Sequence, residues 1–225
     1  MSETRPGAAD RRTPAGGNVL ITSASGKVPL VRAVQNAARK LDPSIRVIAG
    51  DLDENALTRY VADDFWAMPH TDDASIDELA AGCSKRNIRT IIPTRDGELA
   101  FWAKHLSRFA EAGMEVIVSP APSVEICLDK LAFARFGNSR GLPFIPADSS
   151  LDRLGGERFV VKERFGAASR SMGINLNYTT ALEHGATLDR PIYQPFVAGR
   201  EISVDGWLDA ACKIKGLVLR SRDHV

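Results

Sequence analysis

The chain has 225 residues, 44% of them hydrophobic and 25% charged, and its formal net charge is +1. This composition is typical of a globular protein with enough apolar material for a core. The near-zero net charge excludes a strong overall attraction to nucleic acid or to an anionic membrane. No apolar run reaches the length that a membrane-spanning helix needs, so membrane insertion is excluded as well.

The N-terminus and the cysteines predict a cytoplasmic protein. Residues 1–17 contain no apolar segment of the kind found in secretory signals, and their Pro, Gly, Ala and Arg content predicts a disordered leader. Cys83, Cys127 and Cys212 are far apart in the chain and show neither a metal-binding spacing nor a disulfide framework. We expect all three to be reduced thiols, which are the rule in the cytosol.

Residues 18–119 alternate between short apolar runs and helical patterns. Pro29 suits the first turn of the first helix, and Gly113 suits the position just beyond a later one. Strands that are continuously apolar and alternate with helices favour a parallel sheet with helices on both faces. We therefore predict a Rossmann-like α/β domain over residues 18–119. Its strands are predicted at residues 18–21, 46–51, 66–68, 89–94 and 114–119.

Polar residues follow several of these predicted strands. Ligands of parallel α/β sheets bind at the carboxyl ends of the strands, which here are residues 22–26, 51–54 and 94–98. Arg95 can pair with a substrate carboxylate. A helix cap with acids in its first turn explains residues 94–98 equally well. The candidate substrate-binding residues at these ends are Ser25, Gly26, Thr94, Arg95, Asp96 and Glu98.

The turn after the first predicted strand, residues 22–26, is also compatible with a dinucleotide-binding site. Asp51 ends the second strand, where an acid can bind the ribose of NAD. The dinucleotide fingerprint needs three glycines after the first strand, and only Gly26 is present. An NAD-dependent oxidoreductase is therefore disfavoured.

The pattern changes after Ser119, and we predict a domain boundary at about residues 119–122, with a second domain over 120–225. Short helices come first and end before Gly141 and Pro143. The segments ERFVVKER (157–164) and GINLNY (173–178) predict two antiparallel strands around a loop, and a helix fragment follows at 181–186. Residues 190–209 predict a strand, a tight turn at 197–199 and a second strand that forms a hairpin with the first. Another strand is predicted within residues 211–222.

Two lysines and one glutamate in this half are candidates for nucleotide binding. Lys162 ends a strand and can direct a compact positive charge at a phosphate, while the loop after it can supply backbone N–H groups. Lys130 lies on a preceding helix, and Glu201 follows the predicted tight turn, where it can accept hydrogen bonds from ribose hydroxyls. Taken singly, each is explained as well by an ordinary solvated side chain. The order of these features carries the information.

That order resembles the ATP-grasp superfamily. The first half strengthens the resemblance, because several of its segments are similar to the pre-ATP-grasp domain and linker of the carbamoyl-phosphate-synthase-like, carboxylate–amine ligase branch. The similarity extends from about residue 18 to residue 209. The segments are VLITSASGK (19–27), GDLDENA (50–56), ADDFWAMPH (62–70), IIPTRDGELA (91–100) and DKLAFARF (129–136).

The resemblance implies an ATP-dependent ligase that phosphorylates a carboxylate to an acylphosphate and then transfers the acyl group to an amine. Its expected partners are small-molecule carboxylate and amine substrates, and a homodimer is left open. Gln194 departs mildly from the family, which more often has glutamate there, and the loop after Lys162 has fewer glycines than usual. The resemblance implies ATP contacts for Lys130 and Lys162 at the phosphates, Gly166, Ser169 and Gly173 in the lid, Gln194, Phe196 and Val197 at adenine, and Glu201 at ribose.

The family's magnesium ligands lie further along the chain than residue 225. The resemblance therefore implies Mg²⁺ for a longer parent enzyme and an incomplete ATP-grasp domain here, and we expect the 225-residue chain alone to be inactive in ligation. No catalytic residue and no metal ligand is assigned. The alternative is a non-catalytic nucleotide-binding or interaction module that retains the fold.

Overall fold

The computed structural model describes residues 16–166, 171–209 and 211–221. The chain divides into two compact units, the first ending at Asp129 and the second beginning at Lys130. This division lies beyond the boundary predicted at residues 119–122. The helix at Ala121–Leu128 packs on the helix at Asp96–Lys104 and so belongs to the first unit.

The first unit is built on a five-stranded sheet in which every neighbouring pair of strands is parallel. The strand order is β3-β2-β1-β4-β5. This confirms the predicted parallel α/β architecture, although the fifth strand has only two residues. The strands are β1 (Asn18–Ile21), β2 (Val47–Asp51), β3 (Asp64–Ala67), β4 (Ile88–Ile92) and β5 (Glu115–Val116).

Helices cover both faces of this sheet. Successive side chains of a strand project to opposite faces. Accordingly, Leu20 packs in one apolar cluster with Trp102 and Phe109, while Ile21 packs in another with Val31. The helices are α1 (Val28–Leu41), α2 (Ile76–Lys85), α3 (Asp96–Lys104), α4 (Leu106–Glu111) and α5 (Ala121–Leu128).

The second unit begins with helix α6 (Lys130–Ser139) and contains a three-stranded antiparallel sheet in the order β7-β6-β8. The predicted antiparallel pairing of β6 with β7 is confirmed. One face of the sheet packs on helix α7 (Tyr178–Gly185) through Phe159, Val161, Ala181 and Tyr193. The other face contributes Ile192 to a cluster with Leu131 and Ala134 of α6. The strands are β6 (Phe159–Glu163), β7 (Gly173–Leu176) and β8 (Pro191–Pro195).

Strands β9 (Ile202–Leu208) and β10 (Ile214–Ser221) form a separate two-stranded antiparallel sheet. The predicted hairpin between β8 and β9 is therefore wrong, because β8 pairs with β6 and β9 pairs with β10. Asp148 explains the difference: it exchanges backbone hydrogen bonds of 2.8 and 3.1 Å with Tyr193 of β8 and so occupies the second edge of that strand. Large apolar side chains of β9 and β10, among them Trp207 and Leu219, are more than half exposed.

Among the described residues, no helix combines the length and the apolar character that crossing a membrane requires.

Candidate nucleotide and substrate sites

Lys162 lies near the end of β6 and is only partly exposed. Loss of hydrating water lowers the pKa of its ammonium group, and the positive charge of Lys130 lowers it further. Within residues 16–166, 171–209 and 211–221, no carboxylate forms an ion pair with Lys162. A partly buried ammonium group without a carboxylate partner is unfavourable, and an anionic ligand would offset its charge. The chemistry of this site therefore favours an anionic ligand.

Lys130 is the first residue of α6, and two hydrogen bonds tie it to the chain that follows β6. Its backbone N–H donates to the carbonyl oxygen of Arg164 at 3.1 Å, and its Nζ donates to the carbonyl oxygen of Gly166 at 2.7 Å. Gly166 has a φ of +97°, which glycine adopts without the penalty that a side chain would incur. These contacts bring Lys130, Lys162 and Gly166 together at one end of the sheet.

Gln194 shares a face of the sheet with Lys162. In the register of β6 with β8, Lys162 lies opposite Ile192 and Val160 lies opposite Gln194, so alternation places the two polar side chains on the face that packs on α6. The Nε2 group of Gln194 donates to the carbonyl oxygen of Ile145 at 3.3 Å. That bond leaves Oε1 of Gln194 available as an acceptor.

The other residues assigned to ATP by resemblance lie in three places. Phe196 follows β8 and donates its backbone N–H to the carbonyl oxygen of Arg158 at 2.8 Å, and the next residue, Val197, is 63% exposed. Glu201 is exposed and directly precedes β9, so it lies outside the sheet that carries Lys162. Gly173 opens β7. Ser169 lies outside the described residues.

Two arginines near Gly166 were missed by the sequence reasoning. The guanidinium carbons of Arg164 and Arg190 lie 5.3 and 4.8 Å from the ring centroid of Phe165, and the backbone N–H of Arg164 donates to the carbonyl of Arg190 at 3.1 Å. Cation–π contacts of this kind hold both arginines near the ring. The sequence carries no signal for Arg190, because this residue precedes β8 and meets Phe165 only through the pairing of β6 with β8.

In the first unit, Glu98 joins the carboxyl ends of β1 and β4. Its side chain is fully buried, and its carboxylate accepts hydrogen bonds from Oγ1 of Thr22 at 2.9 Å and from the backbone N–H groups of Thr94 and Arg95 at 3.0 and 3.1 Å. Nε1 of Trp102 donates to the other carboxylate oxygen at 3.2 Å. These four contacts are those of a helix cap extended to a neighbouring strand, so we propose that Glu98 positions the site.

The remaining substrate candidates line the same edge of the parallel sheet. Ser25 donates its backbone N–H to Oδ2 of Asp51 at 2.6 Å, and the other oxygen of Asp51 accepts from the N–H of Asp53 at 3.0 Å. Asp51 therefore holds the loop that contains Ser25. Gly26 lies in the same loop and Asp96 is the first residue of α3, and both are exposed.

Among the described residues, no group of three or more His, Cys, Asp or Glu side chains is arranged to hold a metal ion. Asp205 of β9 is engaged by Arg220 of β10 through two hydrogen bonds of 2.6 and 3.1 Å. Asp209 accepts from backbone N–H groups of the turn between the same strands.

By sequence, residues 19–117 match the family model of the PylC-like N-terminal domain. No curated protein matches the chain by sequence.

By structure, the chain is similar to several solved proteins. N5-carboxyaminoimidazole synthetase from Staphylococcus aureus, complexed with ADP, has a TM-score of 0.69 and 18% identity, with 93% of this chain and 56% of that chain covered. L-amino acid ligase from Bacillus licheniformis has a TM-score of 0.67 and 13% identity, with 92% and 51% covered. The biotin carboxylase domain of Hydrogenobacter thermophilus 2-oxoglutarate carboxylase, with MgADP and bicarbonate, has a TM-score of 0.58 and 15% identity, with 83% and 45% covered. The chain thus spans about half the length of these proteins, and such identities show a shared fold.

Proposed function

Because the chain has the fold of the ATP-grasp carboxylate–amine ligases, with a PylC-like N-terminal domain over residues 19–117, we propose that its second unit binds ATP as part of a carbon–nitrogen ligase. The first unit contributes binding groups for a small carboxylate substrate. The observation that carries the proposal is the partly buried ammonium group of Lys162, which lies near Lys130 and forms no ion pair with a carboxylate among the described residues. A triphosphate supplies the negative charge that would offset the ammonium group of Lys162.

The proposed reaction has two steps. A carboxylate oxygen of the substrate attacks the γ-phosphorus of ATP, the bond to the β–γ bridging oxygen breaks, and ADP leaves. The amine nitrogen then attacks the acyl carbon, the bond to the phosphate oxygen breaks, and inorganic phosphate leaves as the nitrogen loses a proton to water. Lys130 and Lys162 are proposed to stabilise the phosphate charge, which is the main contribution a protein makes to phosphoryl transfer.

Other residues are proposed to hold the nucleoside. Oε1 of Gln194 is proposed to accept from the adenine amino group, and the hydrogen bond from its Nε2 to Ile145 supports this orientation of the amide. Phe196 and Val197 border adenine, and Glu201 accepts from the ribose hydroxyls. In such a reaction Mg²⁺ would supply positive charge that offsets the charge of the phosphates. The described residues contain no cluster that could hold the ion, so no step is assigned to it.

The test of ATP binding is the Lys162→Ala variant. We expect it to bind ATP roughly tenfold or more weakly than the parent chain, since a hydrogen-bonded charge pair typically contributes 1.5–3 kcal/mol. Isothermal titration calorimetry measures the difference. Lys85→Ala is the matched control, because Lys85 is exposed on α2 in the first unit. Equal affinities of the two variants would contradict the proposed role of Lys162.

The lowered pKa of Lys162 predicts how ATP binding depends on pH. In the folded chain the pKa of Lys162 lies below the ordinary 10.5. Between these two pKa values the unfolded chain binds more protons than the folded one, so the free-energy cost of the buried charge disappears as the pH rises through this range. ATP binds the charged form, so its affinity should fall as the pH rises through the lowered pKa. Calorimetry from neutral pH upward should show this decline in the parent chain and not in Lys162→Arg, because a guanidinium stays charged. A decline of the same size in both chains would refute the assignment.

A further inference from the structure

Two positive side chains converge on Ser23, in the loop that joins β1 to α1. Nζ of Lys27 donates to the carbonyl oxygen of Ser23 at 2.7 Å, and Nε of Arg95 donates to its hydroxyl at 3.3 Å. Throughout the described part of the chain, neither side chain forms an ion pair with a carboxylate. Two cationic side chains that share Ser23 as a hydrogen-bond partner can both reach an anion bound beside that residue.

Lys27 and Arg95 lie at an edge of the sheet where a ligand is expected. Strand order reverses between β1 and β4. On one side of β1 the sheet continues with β2 and β3, and on the other side it continues with β4 and β5. Helix α1 packs in the cluster of Val31 and helix α3 in that of Trp102, so the helices that follow β1 and β4 diverge to opposite faces of the sheet. Open parallel sheets bind ligands in the crevice that such a divergence leaves.

Hydrogen bonds fix both sides of the crevice. Oγ1 of Thr94 donates to the carbonyl oxygens of Thr22 at 2.5 Å and Ser23 at 3.1 Å, which joins the two loops. The guanidinium of Arg95 lies over Gly97, where an added Cβ would be 2.8 Å from its Nη1. Gly97 therefore leaves room for the guanidinium in this position, and its hydrogen bond to Ser23 holds Arg95 beside the crevice.

From this arrangement we infer that Lys27 and Arg95 form an oxyanion-binding subsite at the β1–β4 crevice, which takes a carboxylate or phosphate group of the small-molecule substrate. Arg95 supplies a planar pair of donors and Lys27 a compact charge. The identity of the anion as part of a ligase substrate rests on the proposed function; the subsite itself rests on the contacts around Ser23.

The experiment measures the binding of inorganic phosphate and of succinate to the whole chain by calorimetry, at constant ionic strength, with chloride as the competing anion. We expect at least one of the two anions to bind, and Lys27→Gln and Arg95→Gln each to weaken that binding roughly tenfold or more. Binding of phosphate alone identifies a phosphorylated substrate, and binding of succinate alone identifies a carboxylate. Lys40→Gln and Arg32→Gln, both exposed on α1, are the matched controls and should bind as the parent does.

The ATP site is a second place where phosphate can bind, so Lys162→Ala is included. If that variant loses anion binding while Lys27→Gln keeps it, the inference is overturned and the ATP site is supported. If neither anion binds the parent chain, or if the Gln variants bind like the controls, the subsite is likewise refuted. Lys27→Arg and Arg95→Lys, which keep the charge, should retain part of the affinity, and circular dichroism checks that every variant is folded.

Discussion

Replacement of Trp102 with alanine is expected to lower the free energy of unfolding of the first unit by about 3–5 kcal/mol. Trp102 is fully buried, and its ring lies 5.2 Å from that of Phe101 and 5.0 Å from that of Phe109. Its removal opens a large cavity beside β1 and β4, since the same cluster contains Leu20 and Ile91. It also deprives Glu98 of one of its donors.

Urea unfolding followed by far-ultraviolet circular dichroism measures this loss. Trp207→Ala is the matched control, because Trp207 is 57% exposed on β9, and a surface substitution of this kind changes stability by about 0.5 kcal/mol or less. Similar losses in the two variants would show that the packing of Trp102 is not what holds the first unit together.

Replacement of Glu98 with leucine is expected to destabilise the first unit by about 3 kcal/mol or more. The buried hydroxyl of Thr22 and the N–H groups of Thr94 and Arg95 would lose their common acceptor, and each unsatisfied buried group costs about 1–3 kcal/mol. Glu98→Gln keeps one acceptor oxygen but turns an amide donor towards Nε1 of Trp102 or towards the other donors. The loss of stability of Glu98→Gln should therefore lie between those of the parent chain and of Glu98→Leu.

The same urea unfolding experiment ranks the three chains, with Glu111→Leu at the exposed end of α4 as the control. Anion binding adds a second readout. Arg95 depends on Glu98 for its backbone position, so Glu98→Gln should weaken the binding of phosphate or succinate even where the fold survives. A Glu98→Leu chain as stable as its parent would mean that water satisfies these donors without the carboxylate.

The architecture of the first unit was predictable because it depends on local patterns. Apolar runs such as that of Val47–Ala49 can be buried on both faces only in a parallel sheet between helices, and the alternation of strand and helix then leaves few topologies. In the second half, the order of the helix with Lys130, the strand with Lys162 and the loop after it similarly indicated the ATP-grasp fold. Prediction was less exact at the edge of the sheet, where the fifth strand is shorter than predicted.

Tertiary structure decided what local pattern left open. The hairpin predicted over residues 190–209 failed because Asp148, distant in sequence, occupies the edge of β8 that β9 would have needed. At Glu98, spacing was compatible with a ligand contact as well as with a cap, and the hydrogen bond from Thr22 places its carboxylate inside the fold.

The candidate functional residues, too, were predicted in part from sequence and in part only from the tertiary structure. Residue type and order identified Lys162 and Lys130, but only the folded sheet shows that Lys162 is partly buried and lies near Lys130, which together lower its pKa. Lys27 and Arg95 carried no joint signal, because they meet through Ser23 from loops after different strands. Local periodicity determines which segments become strands and helices. Which side chains meet is determined by long-range strand pairing, whose free energy depends on contacts that no short stretch of sequence contains.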